Sequence, residues 1–391
     1  MMTPRERIKA TIHFRKADRL PWYESIPPAT LVNWIRQGLP ADKITKIEWT
    51  MFMGDGCILL PDDKFSDFAP TEYFGIDNIL SLRVPLDLGP LPRFKMRIIL
   101  ETDRYIEMIA ETGVIARRLK EAYLYNMPMY VSFPVKDRKS WNEYKVRLNP
   151  KDSRRYPKDW HKDSYIEIFE NYQAGSTVLF ITGFYGFGAQ LMGIPTFNLM
   201  FYKDPELIYD MVSHWEYFTI ETIRDAVETL KDRIDLVFWW EDLASRHGPN
   251  ISPKLYRKFL LPSYKRVTNF LKKNKIDRIM MDSDGNTMAI LDLAIEAGIT
   301  GHWPLEVDSG MDARIIRKKY GNKLFLVGNI DKRAVVKGGK VMMEEVESKI
   351  SVLKETGGYI PGIDHIVPPE CTLERFKEYA EYVKKQLLFD S

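Results

Sequence analysis

Hydrophobic residues in the second half of the chain fall into short continuous runs that are separated by helical patterns. Each run ends in a polar or glycine-rich turn. Continuous apolar strands that alternate with helices indicate a parallel sheet covered on both faces. The pattern predicts six such strands, at residues 177–182, 236–240, 278–281, 299–303, 324–327 and 359–360.

The first half of the chain shows a different pattern. Thr3, Pro4 and Glu6 are typical of a helix start, and they predict a helix to about Phe14. Further candidate strands at residues 20–23 and 57–60 bring the count to eight, as a closed barrel requires. Alternating residues predict an antiparallel ribbon, at 94–100 and 105–109, and the stretch 136–158 is typical of a surface helix and loop.

We therefore predict an α/β fold, a single (β/α)8 TIM-barrel domain over residues 1–391. It has an N-terminal helical extension and an antiparallel β-ribbon inserted at about 86–160. The structural alternative is a doubly wound open sheet, but polar residues follow many strands instead of one glycine-rich phosphate turn. The sequence contains neither a GxGxxG motif nor a Walker loop.

Charge and cysteine content narrow the class of protein. The 57 basic and 54 acidic residues give a net charge of only +3. This near balance does not indicate a nucleic-acid or anionic-membrane partner. No apolar run approaches the ~18 residues of a membrane span. Cys57 and Cys371 have no paired spacing, which suits a reducing compartment. A cytoplasmic protein is expected.

Acidic residues follow several predicted strands, and a parallel barrel directs the loops after its strands to one mouth. Asp282 and Asp284 are two residues apart, so on extended backbone they share a face and could share a proton or a cation. Helix capping is the alternative for Asp284. Glu241 follows an apolar run, where desolvation would raise its pKa and suit it to acid catalysis; a salt bridge to Arg246 is the alternative.

Glu306 and His365 also follow strands, and His365 at the last strand end joins Glu241 and Asp282 as a candidate catalytic residue. Asp331 precedes Lys332 and Arg333, which favours a structural ion pair. Two further candidates near strand ends are His247 and His302. Cys371 is predicted to start the final helix as a small buried residue, with a thiolate ligand as the alternative.

Aromatic residues stand at three of these strand ends. If they face the mouth, they would bind a flat apolar substrate with one polar reacting centre; most aromatic residues simply pack in a core. The candidate substrate-binding residues are Phe184, Tyr185, Trp239, Trp240 and Trp303.

Three parts of the chain resemble the uroporphyrinogen decarboxylase superfamily: residues 2–7 with 18–21, residues 251–256, and Pro-Gly-Ile-Asp-His-Ile-Val-Pro-Pro at 361–369. The superfamily is a (β/α)8 barrel that contains tetrapyrrole decarboxylases and cobalamin-dependent methyltransferases. Its decarboxylases carry an arginine-rich motif after the first strand, whereas residues 23–30 here contain no arginine. Without that clamp, haem-pathway decarboxylation is not expected.

The methyltransferases that act on methyl-thiols hold zinc through His-x-Cys and a later cysteine. Asp282 and Asp284 resemble the His-x-Cys pair in spacing, and His365 lies near the later position. The resemblance thus implies an oxygen-rich zinc site formed by Asp282, Asp284, Glu306 and His365. Harder ligands of this kind suit an ether or alcohol oxygen better than a thiolate.

The resulting hypothesis is a methyltransferase that moves a methyl group from an O-methyl donor, such as a methoxylated aromatic compound, to the cobalt of a corrinoid. The sequence lacks the Asp-x-His-x-x-Gly cobalamin signature, so a partner corrinoid protein is expected to carry the cofactor. A homodimer is left open. The alternatives are a decarboxylase or other lyase that acts on a smaller acid, and a ligand-binding barrel without catalysis.

Overall fold

The computed structural model describes residues 1–40, 70–120, 128–157 and 163–389. The strands of this part of the chain are β1 (Asn78–Arg83), β2 (Arg97–Glu101), β3 (Tyr105–Ile109), β4 (Ile115–Leu119), β5 (Met129–Ser132), β6 (Gly175–Thr182), β7 (Leu236–Trp240), β8 (Ala244–Ser245), β9 (Gly248–Pro249), β10 (Ile279–Asp282), β11 (Gly301–Trp303), β12 (Phe325–Val327) and β13 (Tyr359–Ile360).

Helices separate and cover these strands. They are α1 (Pro4–Ile12), α2 (Pro28–Arg36), α3 (Pro70–Phe74), α4 (Arg138–Lys145), α5 (Asp163–Asn171), α6 (Phe184–Met192), α7 (Ile194–Lys203), α8 (Pro205–Leu230), α9 (Pro253–Leu255), α10 (Leu261–Lys273), α11 (Leu291–Ala297), α12 (Ala313–Tyr320), α13 (Lys332–Lys337), α14 (Gly339–Leu353) and α15 (Leu373–Gln386). None of the described helices combines the length and the apolar character needed to cross a bilayer.

Among the described residues, seven parallel strands form one curved sheet in the order β1-β6-β7-β10-β11-β12-β13. Residues 20–25, which we call the first-strand segment, fill the gap between its two edges. Tyr23 N–H donates to Pro361 O (3.1 Å), and Asp77 N–H donates to Trp22 O (2.7 Å). The segment therefore supplies the eighth position of a closed ring, which confirms the (β/α)8 fold and excludes the open sheet.

Alternation along each strand decides which side chains fill the barrel. On β7, Leu236, Phe238 and Trp240 point inward, whereas Val237 and Trp239 belong to the core between strands and helices. The inward set is continued by Val178, Phe180, Met280, Trp303, Phe325, Val327 and Ile360, with Ile8 and Ile12 of α1 in the same cluster.

The six strands predicted in the second half are confirmed to within two residues. The first-strand segment is extended at the predicted place, but Pro21 has no N–H to donate and the segment forms no regular ladder. The candidate strand at 57–60 lies outside the described residues. The second position of the ring is taken by β1, which the sequence pattern did not indicate.

The predicted ribbon is larger than expected. Its two strands correspond to β2 and β3, and β4 and β5 extend it to a four-stranded antiparallel sheet within the described residues. Helix α4 follows this sheet, as predicted for the stretch 136–158. The insertion leaves the barrel after β1 and returns to it before β6, so it stands beside the barrel mouth.

A buried ion pair fixes α1 to the barrel. Arg5 Nε contacts Asp235 Oδ2 (2.7 Å), Lys9 Nζ contacts Asp235 Oδ1 (2.8 Å), and the Asp235 side chain is fully buried. We expect Asp235→Ala to lower the free energy of unfolding by about 3–5 kcal/mol, because it leaves the Arg5 guanidinium buried without its carboxylate. Urea unfolding measures this change.

Glu221→Ala is the matched control, since it breaks the half-exposed pair between Glu221 and Arg224. Its expected effect is below about 1 kcal/mol. Equal effects of the two substitutions would contradict the importance assigned to the Asp235 pair.

Glu24 joins the first-strand segment to the end of the chain. Its buried carboxyl group accepts hydrogen bonds from Trp22 Nε1 (2.7 Å), Tyr379 Oη (2.6 Å) and Ile363 N (3.0 Å). Burial raises the pKa of Glu24 to about 7, against the lowering effect of these donors.

The raised pKa makes stability depend on pH. Between about pH 4.5 and 7 the folded state keeps a proton on Glu24 that the unfolded chain has lost, so stability falls as pH rises through this window. Glu24 accounts for about 3 kcal/mol of this fall in the free energy of unfolding, and we expect Glu24→Gln to lack that contribution. Unfolding free energies at pH 5 and pH 7.5 test this, with Glu374→Gln on the exposed surface of α15 as the control. An unchanged pH dependence in Glu24→Gln would contradict it.

Candidate active site

Three of the predicted metal ligands meet at the barrel mouth. One donor atom each from Asp284, Glu306 and His365 lies within 4.8 Å of the other two; we call these residues the mouth trio. His365 Nε2 is 3.5 Å from Asp284 Oδ1, and His365 Nδ1 is 3.8 Å from Glu306 Oε1. They come from the loops after β10, β11 and β13, so the convergence follows from the parallel ring.

Glu306 is held in place by its surroundings. Its Oε2 accepts from Gly285 N (2.9 Å) and Ser309 Oγ (3.2 Å), while Oε1 faces His365 and Lys332 Nζ (3.5 Å). Burial opposes ionisation, but the Gly285 hydrogen bond and the two nearby basic groups together hold the pKa of Glu306 below its usual value. Glu306 is therefore an ionised carboxylate with one oxygen directed at the trio.

Asp282 ends β10 as a buried inward-facing residue and does not belong to the mouth trio. Its pKa lies well above the usual value, because burial and the negative charges of Asp242 and Asp284 disfavour ionisation. The two-residue spacing thus places Asp282 and Asp284 within electrostatic reach. Of these two residues, only Asp284 belongs to the mouth trio.

Asp242 lies beside Asp284 of the mouth trio. Asp284 N–H approaches Asp242 Oδ1 at 3.5 Å, and Asp242 has a left-handed backbone with φ of 49°. Burial and the charges of Asp284 and Glu306 raise the pKa of Asp242 to about 7. A carboxyl group with such a pKa can hold a proton at neutral pH and release it to a substrate.

A cavity of about 760 Å³ opens beside Asp242, between the barrel mouth and the inserted sheet. Arg83, Phe180, Thr182 and Trp240 line its barrel side. The inserted sheet and its loops supply Met96, Met108, Ala110, Val114, Tyr130 and Phe133, and α6 and α7 supply Gly186, Phe187, Gln190 and Ile194. Most of these side chains are apolar, and the insertion is therefore a wall of the cavity.

Glu241 is desolvated as predicted, but its carboxyl group is bound by the start of α6. Its fully buried carboxylate accepts backbone hydrogen bonds at the start of α6, from Phe184 N (2.7 Å), Tyr185 N (2.9 Å) and Gly186 N (2.9 Å). Burial raises its pKa to about 8, against these hydrogen bonds. Both oxygens are engaged away from the cavity, so the structure assigns Glu241 to the positioning of α6 rather than to proton transfer. Arg246 contacts Asp308, not Glu241.

The predicted aromatic residues divide into two groups. Trp240 lines the cavity, and Trp303 faces the barrel interior with its ring 5.9 Å from that of His365. Phe184, Tyr185 and Trp239 are buried in the core between strands and helices, so these three do not reach the mouth. Trp239 does not reach the mouth because the pleat of β7 directs it away from the barrel interior, whereas Trp240 faces that interior.

The three remaining candidate residues lie outside this site. His302 is buried against Thr287 Oγ1 (2.6 Å), and burial lowers its pKa to about 4. His247 is exposed in the turn between β8 and β9. Cys371 is buried, and burial raises its thiol pKa to about 12, which disfavours a thiolate ligand. Asp331 caps α13 and pairs with Arg333 (2.9 Å), as predicted for a structural residue.

Sequence reasoning missed Asp242, Arg83 and Lys332 as members of the site. The strand parity could have indicated Asp242, because it is two residues after the inward-facing Trp240, while Glu241 has the parity of Trp239. Arg83 could not be found in this way, because β1 itself was not predicted. The sequence suggests Lys332 as an ion-pair partner of the adjacent Asp331, whereas in the structure its ammonium group lies near Glu306.

The mouth trio fits a divalent cation. Two carboxylates and one imidazole leave further coordination positions open, which is the arrangement of catalytic zinc sites. Asp242, Asp282 and Asp364 place further carboxyl groups near the trio, and Lys332 is a basic side chain beside it. An oxygen-rich set of this kind also suits other first-row divalent metals.

Comparison with known proteins identifies the family. Residues 177–386, more than half of the chain, match the uroporphyrinogen decarboxylase (URO-D) family, and the chain therefore belongs to it. The match begins in β6 and ends with α15, so it contains the mouth trio and Asp242 but not the inserted sheet.

Among solved structures, the fold is similar to that of a methyltransferase from Methanosarcina mazei, with a TM-score of 0.57. The similarity covers 98% of this chain and 99% of that chain at 16% sequence identity. At this identity the likeness shows the fold alone. A comparison with curated protein sequences finds no match.

Proposed function

We propose that the protein is a methyltransferase that takes the methyl group of an O-methyl compound, in particular a methoxylated aromatic, and transfers it to the cobalt of a corrinoid on a partner protein. The main support for this proposal is the position of Asp242. It lines a large, mostly apolar cavity and also contacts Asp284 of the mouth trio. Membership of the URO-D family and the fold shared with a methyltransferase agree with this proposal.

The proposed reaction breaks the bond between oxygen and the methyl carbon. The bonding pair stays on oxygen, and cobalt(I) of the corrinoid substrate supplies the pair for the new bond to carbon and becomes cobalt(III). A methyl ether is a poor donor because its leaving oxygen is basic, so that oxygen needs a proton. Asp242 supplies the proton, because it lines the cavity and burial raises its pKa, which favours the protonated form.

The mouth trio would hold a divalent cation such as zinc, whose Lewis acidity would lower the basicity of the ether oxygen. Asp284 and Glu306 contribute carboxylate oxygens and His365 one ring nitrogen. Asp282 lies next to this group without belonging to it, and burial raises its pKa, which favours the neutral form.

The remaining cavity residues position the donor. Phe180 and Trp240 offer aromatic faces on the barrel side, and the inserted sheet covers the opposite side. Flat aromatic compounds pack well between such surfaces.

An anaerobic donor screen tests the proposed function. The full chain is mixed with cob(I)alamin, or with a corrinoid protein, and with a series of methoxylated aromatics; the matching phenols are the controls. We expect methylated corrinoid and free phenol in equal amounts with at least one donor and none with the phenols. Release of carbon dioxide without methylated corrinoid would indicate a decarboxylase instead. Binding of donors without turnover would indicate a ligand-binding barrel.

A further inference from the structure

Asp364 directly precedes His365 of the mouth trio, and it is only 1% exposed. Its carboxyl group accepts two backbone hydrogen bonds, one from Val307 N at Oδ2 (2.9 Å) and one from Lys332 N at Oδ1 (3.2 Å). Val307 directly follows Glu306, which also belongs to the mouth trio. One buried side chain therefore ties together the chain segments after β11, β12 and β13.

The backbone at Asp364 is itself held in place. Asp364 N–H donates to Ile330 O (2.8 Å), and Ile330 N–H donates to Gly362 O (3.0 Å). Ile330 and Ile363 also form a parallel bridge, so the pairing of β12 with β13 continues up to Asp364. The carboxyl group thus extends from ordered, paired backbone, and it can fix the position of the segment that it binds.

Glu306 is held by its backbone on both sides. Before it, Leu305 O accepts a hydrogen bond from Asn329 Nδ2 (2.8 Å), and the buried Asn329 in turn accepts from Lys349 Nζ (3.0 Å) at its Oδ1. After it, Val307 N–H donates to Asp364. Loss of the Asp364 carboxyl group would therefore release Glu306 on the side that is joined to the His365 segment.

We propose that Asp364 is a positioning residue of the mouth trio, which holds Glu306 and His365 at the separation that a divalent cation requires without binding the cation itself. This inference rests on the metal site of the proposed function. Both oxygens of Asp364 accept backbone hydrogen bonds, and Asp364 is not one of the three residues whose donor atoms converge. Replacement of a residue that supports metal ligands typically weakens metal binding by about 10- to 100-fold.

The zinc affinity of the full chain, measured by competition with a chromophoric chelator, tests the inference. Asp364→Asn keeps the size of the side chain but offers one acceptor oxygen instead of two, so one backbone hydrogen bond is lost. Asp364→Ala loses both. We expect zinc to bind about 10-fold more weakly to Asp364→Asn and about 100-fold more weakly to Asp364→Ala. Bound cobalt(II) gives a second readout, because its visible absorption reports the coordination geometry and should change in both variants.

Asp235→Asn is the matched control for a loss of stability. Asp235 is also a buried carboxylate that accepts a backbone hydrogen bond, from Thr177 N (3.0 Å), but it precedes β7 at the opposite end of the barrel. This variant should unfold more readily than the wild-type protein and bind zinc equally well. Urea unfolding without metal ranks the stability of all variants, and Asp364→Asn is sufficient for the test if Asp364→Ala does not fold.

Three results would overturn the inference: wild-type zinc affinity and cobalt absorption in the folded Asp364 variants, an equal loss of affinity in Asp235→Asn, or a wild-type protein that binds no divalent cation. Failure of the proposed function gives a different result. If zinc binding depends on Asp364 but no donor methylates a corrinoid, the positioning role stands and the methyl transfer does not. If a corrinoid is methylated while the Asp364 variants bind zinc normally, the opposite holds.

Discussion

Asp242→Asn is expected to slow methyl transfer by about 10²- to 10⁴-fold, the range that general acid catalysis contributes. The amide keeps the size of the side chain and its place beside Asp284, but it has no acidic proton for the leaving oxygen. Single-turnover methylation of cob(I)alamin at saturating donor measures the change. Donor affinity should stay within a few-fold of wild type, because the cavity walls are unaltered.

Asp308→Asn is the matched control. Asp308 also lies in the loop after β11, but it is exposed and contacts Arg246 and Arg333 at the surface. Its rate should equal that of the wild-type protein. If Asp242→Asn retains more than about a tenth of the wild-type rate, Asp242 is not the proton donor.

Glu306→Gln and His365→Ala are expected to remove the metal site. The wild-type protein loaded with zinc should retain about one ion per chain. Loss of a directly coordinating group should weaken binding beyond the 10- to 100-fold that loss of a supporting residue costs, so either variant should lose its zinc on dialysis. Methyl transfer should fall with the zinc content. Elemental analysis and competition with a chromophoric chelator give both occupancy and affinity.

Asp331→Asn controls for a general loss of acidic charge near the mouth. Asp331 caps α13 and pairs with Arg333, so its variant should keep the zinc. Wild-type protein that holds no divalent cation at micromolar concentration, or variants that bind zinc as well as the wild type does, would exclude the mouth trio as a metal site.

The sequence was most informative where strands are continuous and apolar. The runs at β6, β7 and β13 are buried on both faces, and burial of this kind leaves a pattern that a single sequence shows. The first-strand segment and β1 were harder to predict. The exposure of β1 is mixed, and the buried first-strand segment contains Pro21 and Glu24, which interrupt an apolar run. The ring around both is completed by hydrogen bonds to residues far away in the chain, such as Pro361.

The same limit applies to the site. The order of strands in a barrel brings Asp284, Glu306 and His365 together, so their convergence could be predicted from their places after strands. The roles of adjacent residues could not be predicted in this way. Glu241 and Asp242 are consecutive in the sequence, yet Glu241 contacts the start of α6 and Asp242 lines the cavity. The cavity depends on how the inserted sheet packs over the mouth, and no local pattern in residues 97–132 specifies that contact.

The most direct test of the account follows the methyl group itself. A donor with a ¹³C-labelled methoxy group, such as labelled 4-methoxybenzoate or 4-methoxybenzyl alcohol, is incubated anaerobically with the protein and a cobalt(I) corrinoid, and NMR locates the label. The account predicts that the label moves to cobalt with the wild-type protein and stays on oxygen with Asp242→Asn. Label that stays on oxygen in the wild-type reaction with every donor in the series, or carbon dioxide formed without any methylated corrinoid, would contradict it.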